Sequence, residues 1–211
     1  RAKIDSGLKI TLKKNIPAGT GLGSASSDAA STLLGMKKFY DFSVSMETLS
    51  GICAALGSDI PFFLGGPLAF CWGRGEKIRN INEIFSYRAL LALPNVSIAT
   101  KGVYENFRPD LSLFQEKSSQ INTLIAKKNV DLIAKMCANM LEASCFELNH
   151  YVASIKEYIS SLAIGPTCLS GSGSAIYCIL GDVCGENLRY YQSELKERFG
   201  CESLIVDSNR W

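Results

Sequence analysis

Residues 17–30 read PAGTGLGSASSDAA, and this stretch constrains the fold more than any other. Gly19, Gly21 and Gly23 stand at every second position, where they free the backbone for turns that a side chain would forbid. The Ala, Leu and Met that follow, as far as about Tyr40, read as a helix, with Ser24, Ser26 and Ser27 placed to cap it. Freed N–H groups leading into a helix start, with its unpaired donors and positive dipole end, suit an anion such as phosphate. Pro17, Ala18, Gly19, Thr20, Gly21, Leu22, Gly23, Ser24, Ala25, Ser26 and Ser27 are therefore candidate phosphate-binding residues. The stretch is not a Walker A loop, since no GK[ST] follows, nor GxGxxG, since Ser24 takes the place of the last glycine. A glycine-rich turn that only caps a helix remains the alternative reading of the glycines alone.

Ahead of the loop, Leu8, Ile10 and Leu12 alternate with Lys9, Thr11 and Lys13, the pattern of a half-buried strand ending at the Asn15-Ile16-Pro17 turn. After it, a second helix is expected from Ser45, with Glu47 in its first turn, to about Leu56, where Gly57 stops it. Residues 68–72 and 76–81 read as short strands around Gly73-Arg74-Gly75. From Arg88 the pattern changes. Residues 89–93 form a continuous apolar strand, 100–162 are mainly helical with a loose polar stretch near 116–120, and 164–169 and 175–180 are strands. Residues 184–199 are a helix stopped by Gly200, and 203–206 a closing strand, which completes the ferredoxin-like βαββαβ order. A chain of 211 residues has room for one large domain or two of about 100 residues each. The change of pattern places the boundary near 83–86, giving domains 1–84 and 85–211 of an α+β protein.

Asp59 is a lone carboxylate among apolar residues in GSDIPFFL. Beside a substrate hydroxyl it would act as a general base or orient the nucleophile in phosphoryl transfer; equally, it would cap a short helix opened by Ile60-Pro61. Ser170-Gly171-Ser172-Gly173-Ser174, between the two late strands, is either a hairpin turn or a second glycine-rich loop able to close over phosphates. His150, the only histidine, reads as a surface or capping residue. With no GxSxG serine to serve, it excludes a Ser/His/Asp triad, and a single histidine excludes HExxH sites, zinc fingers and His-rich centres. Cys168 and Cys178, without basic neighbours, read as core, as do Met36, Met136 and Met140 at helical spacings.

Eight cysteines without a CxxC, mostly in apolar segments, fit a reducing cytoplasm rather than a disulfide scaffold. The net charge is only +2 and the pairs Lys13/Lys14 and Lys127/Lys128 are scattered, so neither a nucleic-acid nor a membrane surface is expected. No apolar run approaches the roughly 20 residues of a membrane span, and no signal peptide pattern occurs. Arg1 opens in mid-pattern, so the natural start is expected upstream.

Taken together, PAGTGLGSASSDAA, GSDIPFFL and LSGSGSA resemble the GHMP kinase superfamily. The Asp59-Ile60-Pro61-Phe62 segment, the Gly73-Arg74-Gly75-Glu76 turn and the run LPNVSIAT with Val103-Tyr104 narrow the likeness to one branch. Its members use ATP to phosphorylate the 2-hydroxyl of 4-diphosphocytidyl-2-C-methyl-D-erythritol in non-mevalonate isoprenoid precursor biosynthesis. The resemblance implies a two-domain GHMP kinase fold, a ribosomal-S5-like N-terminal domain lacking its first segment and a ferredoxin-like C-terminal domain. It implies ATP and Mg2+ as cofactors, residues 17–27 as the ATP phosphate loop and Asp59 as the residue facing the hydroxyl. Thr100, Gly171, Ser172, Gly173 and Ser174 would line the second side of the site, while the metal ligands are not assigned. Ser24 and Ala25 stand where the family commonly has glycine, and the family's catalytic lysine has no counterpart. A small-molecule partner, a monomer or homodimer, and a bacterial cytoplasm or plastid stroma complete the expectation. The alternatives are another superfamily kinase, acting on homoserine, mevalonate or a sugar, and a non-catalytic nucleotide-binding module.

Overall fold

The computed structural model describes residues 7–81, 86–127, 136–181 and 185–208. They fall into two units, one of residues 1–16 and 23–84, the other of 17–22 and 85–211. The turn 17–22 is thus counted with the later part of the chain, apart from the residues that flank it.

In the first unit, α1 (Ser24–Phe39) starts directly after Gly23, whose left-handed backbone breaks the chain away from the helix path. No side chain caps α1, so the expectation that its serines do so is corrected: Ser24, Ser26 and Ser27 lie inside the first turn. Helix α2 (Met46–Leu56) has the cap its sequence promised, with Thr48 N–H donating to Ser45 Oγ at 3.1 Å. Gly57 ends it and donates to Cys53 O. A short 3-10 segment, Ile60–Leu64, follows. Ala30, Cys53 and Ile60 form the core here, with Ala29, Leu33, Phe63 and Leu64 against them. Strands β1 (Ala69–Trp72) and β2 (Lys77–Asn80) pair antiparallel, Ala69 opposite Asn80, as the glycine turn between them requires.

The alternating segment before the loop is not a strand. Among the described residues it has no ladder partner, and Ile10 and Leu12 are each 59% exposed. Alternation marks which face could be covered, but a strand forms only where a neighbour supplies the opposing N–H and C=O groups.

In the second unit, β3 (Arg88–Leu93) is buried at every position after the first, as expected of a run with apolar side chains on both faces. It lies inside a four-stranded antiparallel sheet of order β4-β5-β3-β6, with β4 (Thr167–Leu169), β5 (Ile176–Ile179) and β6 (Glu202–Asp207). This is the ferredoxin-like order. Between β3 and β4 run four described helices in place of the usual one: α3 (Thr100–Glu105), α4 (Leu111–Ala126), α5 (Glu142–Leu148) and α6 (His150–Ser161). Val152, Ile155 and Ile159 recur at three- and four-residue spacing on α6 and pack with Leu90, Leu169 and Ile176 of the sheet. Helix α7 (Gly185–Phe199) ends at Gly200, which has a positive φ of 58°.

Two smaller expectations change. The polar residues 116–120 are helical, part of α4, where Gln120 donates to Glu116 one turn back. Met36, Met136 and Met140 are half-buried rather than core, and Met140 lies in a turn. His150 is exposed at the first position of α6, and Asn149 is the cap. The expected start of the last helix at Cys184 lies outside the described residues.

Candidate active site

The 17–22 turn has its shape from the glycines. Gly19, Gly21 and Gly23 all have φ between 67° and 74°, a region open to glycine at little strain, and such alternation turns successive N–H groups toward one side. Pro17, Ala18 and Gly19 are exposed, whereas Thr20 is buried with its hydroxyl donating to Pro17 O. Leu22 is half-buried.

Within the second unit this turn lies backbone to backbone against the loop between β4 and β5. Ala175 N–H donates to Thr20 O at 3.0 Å, and Ser170 Oγ donates to Gly21 O at 3.0 Å. A Cβ built on Gly21 would stand 2.0 Å from Ser170 O, and one on Gly171 2.9 Å from Gly21 O. Glycine is required at both positions by this approach as well as by φ.

The 170–174 segment is a hairpin loop closed by Ser170 N–H donating to Ala175 O, and it is also the neighbour of the first loop, so its two readings are not exclusive. Thr100 and Ser172, brought together by the fold, share a hydroxyl hydrogen bond of 2.9 Å. Ser174 is fully buried, and its hydroxyl donates to Val96 O at 2.8 Å, so its side chain serves the loop's shape. Gly173 has no room for a side chain, since a Cβ would meet Cys145 Sγ at 2.9 Å.

In the first unit, α1 presents a first turn whose N–H groups have no side-chain cap. An uncapped helix start keeps donors available to an anion. Lys14 reaches this turn, with Nζ 3.4 Å from Ser24 Oγ and 2.8 Å from Asp28 Oδ2. That carboxylate oxygen is buried and has no other polar partner among the described residues, so Lys14 neutralises it. Sequence reasoning assigned no role to either residue. The available signal was a basic side chain three positions before Pro17 and an acidic one at the end of the serine run. Ser26 and Ser27 are half-buried and Ala25 is exposed.

Asp59, also in the first unit, is exposed at the N-cap position of Ile60–Leu64, but its side chain makes no capping hydrogen bond there. Its carboxylate accepts a hydrogen bond from Ser58 Oγ at 3.2 Å. A Cβ on Gly75 would lie 3.6 Å from Asp59 Oδ1, so the β1–β2 turn passes close to the carboxylate. Its charge reaches β1 as well: burial first, and Asp59 second, push the Cys71 thiol up. Burial pushes Cys168 up to about 12 and Cys145 to about 11, with the Glu142 charge adding to each, in keeping with core cysteines.

Among the described residues no group of three or more His, Cys, Asp or Glu stands ready to hold a metal ion. In the first unit the α1 serines and Asp28 are oxygen donors, a set that fits a hard cation arriving with phosphates rather than an all-protein cage.

The GHMP kinases N terminal domain family matches residues 1–67. A Clostridium botulinum (strain Langeland) 4-diphosphocytidyl-2-C-methyl-D-erythritol kinase is 31% identical over 199 residues, covering 94% of this chain and 70% of that protein. The chain belongs to the 4-diphosphocytidyl-2-C-methyl-D-erythritol kinase family. A Prochlorococcus marinus (strain MIT 9515) protein of that name is 43% identical over 124 residues, covering 58% of this chain and 40% of the relative. Among solved structures, a 4-(cytidine 5'-diphospho)-2C-methyl-D-erythritol kinase matches with a TM-score of 0.69 at 26% identity, over 92% of this chain and 68% of its own. A Cytophaga hutchinsonii homoserine kinase reaches the same TM-score at 17% identity, over 93% of this chain and 68% of its own, and so shares the fold. The expected GHMP kinase fold of mixed helix and sheet is thereby established.

Proposed function

We propose that the protein transfers the γ-phosphoryl group of ATP to the 2-hydroxyl of 4-diphosphocytidyl-2-C-methyl-D-erythritol, a step of non-mevalonate isoprenoid precursor synthesis. The reading rests on family membership and on one observation above the rest: the 19–21 turn is fixed, backbone to backbone, against the 170–174 loop. Residues 17–27 receive the ATP phosphates on N–H groups of the turn and of the uncapped α1 start, where fixed dipoles offset charge on the transferred group. Lys14 adds a positive charge at that helix start. Asp59 orients the substrate hydroxyl and accepts its proton as the new O–P bond forms and the bond from the γ-phosphorus to the departing ADP breaks. Thr100, Gly171, Ser172 and Gly173 line the loop side, with Ser174 holding its backbone. Mg2+ would be held by an oxygen of the α1 turn, such as that of Ser26 or Ser27, and would supply charge neutralisation.

The same reading takes 1–84 and 85–211 as the two domains of such a kinase and places it in a bacterial cytoplasm or plastid stroma. No described helix is long and apolar enough to cross a membrane. The test is ATP-dependent phosphate transfer to 4-diphosphocytidyl-2-C-methyl-D-erythritol, with homoserine, mevalonate and a hexose as competitors and Asp59→Asn as control. Product only from the diphosphocytidyl substrate supports the reading; turnover of another alcohol, or ATP binding without turnover, overturns it.

A further inference from the structure

We infer that Asn139 is a positioning residue that holds the second glycine loop, and through it the 19–21 turn, in the shape that receives phosphates. The inference rests on the reading of these loops as the ATP phosphate site. Asn139 sits in the turn that leads into α5, where Glu142 N–H donates to Asn139 O. Its amide nitrogen donates to Leu169 O at 2.9 Å and to Gly171 O at 2.7 Å. Its amide oxygen accepts from Leu141 N–H at 2.9 Å. Both hydrogens of the amide and its oxygen are thus engaged, which fixes the orientation of the group and asks for two donors and one acceptor on a short side chain. Among the natural residues, asparagine meets that requirement at this length.

The two carbonyls it holds flank Ser170, the residue whose hydroxyl donates to Gly21 O and whose own carbonyl stands closest to Gly21. Asn139 therefore fixes both neighbours of the residue whose hydroxyl holds Gly21. It also occupies the Gly171 carbonyl oxygen in a loop that must accept an anion, and that of Leu169 at the loop's edge, where free acceptors would repel the phosphates. Glu142, three residues on, holds the same strand end by accepting from Leu169 N–H at 2.8 Å.

The test measures ADP and adenosine affinity by calorimetry in the full chain, for the parent, Asn139→Asp and Asn139→Ala. Asn139→Asp keeps the shape but turns an oxygen toward two carbonyls. The expected result is an ADP affinity lower by at least about tenfold, with adenosine affinity unchanged and the KM for ATP raised in step. Asn139→Ala, which leaves the carbonyls to water, shifts the same ratio in the same direction by less. Variants that melt lower yet keep the parent's ADP-to-adenosine ratio overturn the proposal, and so does failure of both to fold, since Asn139 would then serve the fold. A parent that binds ADP no better than adenosine instead overturns the reading of the loops themselves.

Discussion

Replacing Gly21 by alanine adds one methyl group at the point where the two glycine loops meet. The backbone at Gly21 has φ +74°, and holding an alanine there costs about 1 kcal/mol or somewhat more. The new Cβ would start 2.0 Å from Ser170 O and 3.0 Å from Gly173 N, whereas ordinary contact begins near 3.4 Å, so one backbone must retreat by more than an ångström. Overpacking of this kind costs about 1–3 kcal/mol, which brings the expected loss of stability to about 2–4 kcal/mol. Gly35 is the internal control. It lies within α1, a Cβ there meets nothing within 4 Å, and alanine should stabilise the helix by about 0.5–1 kcal/mol. Urea unfolding of the two variants beside the parent, with amide exchange followed over residues 168–176, reads both effects. ADP titration should show weakened binding for Gly21→Ala and none of that for Gly35→Ala. A Gly21→Ala protein with parental stability and parental exchange at 168–176 would refute the packing of the two loops described above.

Asp59→Asn should lower turnover by about a thousandfold with an unchanged melting temperature, because Asp59 makes no capping bond; a fall of several degrees would return the residue to a structural role. Ser45→Ala removes the acceptor of Thr48 N–H and should destabilise α2 by about 1 kcal/mol, measured by thermal unfolding. At the start of α4, hydrogen bonds from Leu113 N–H and Ser112 Oγ hold the Asp110 carboxyl below its usual range. A lowered folded value means stabilisation that is present above the usual aspartate range and is lost as pH falls through the folded value. Helical signal from α4 should therefore fade on acidification in the parent but show no such step in Asp110→Ala. Alkylation followed by mass mapping should find the exposed Cys71 modified before Cys168, Cys145 and Cys201, whose buried thiols stay protonated at pH 8.

What the sequence disclosed was mostly local. The cap at Ser45, the stop at Gly57, the glycine turn between β1 and β2 and the apolar run of β3 are each decided by a few adjacent side chains, and all four appear where expected. The sheet order followed from the succession of elements because short connections leave few ways to place four strands. The segment around Leu8, Ile10 and Leu12 misled because alternation describes a face and not a partner. Residues 116–120 misled in the opposite way: their polarity suggested a loop, while α4 is a solvent-exposed helix supported by its cap and by a bond between Glu116 and Gln120. At the candidate site the glycines, Asp59 and the second loop were legible as residue types in a motif. Lys14, Asp28 and Asn139 were not, since each acts through a contact that only the folded backbone brings about.

The pairing of Gly21 with Ser170 joins positions 149 residues apart. Closing a loop of that size costs about 4 kcal/mol of chain entropy, offset only once the β4–β5 hairpin exists to receive the turn. During synthesis from the N-terminus, α1 and α2 can form while residues 17–22 still lack the backbone that shapes them. A ribosome-bound chain that stops short of β4 carries every glycine of the first loop without its nest, and should show no phosphate-dependent nucleotide affinity. Recognition of the phosphate chain is therefore among the last properties this polypeptide acquires, although the residues that carry it are among the first to be made.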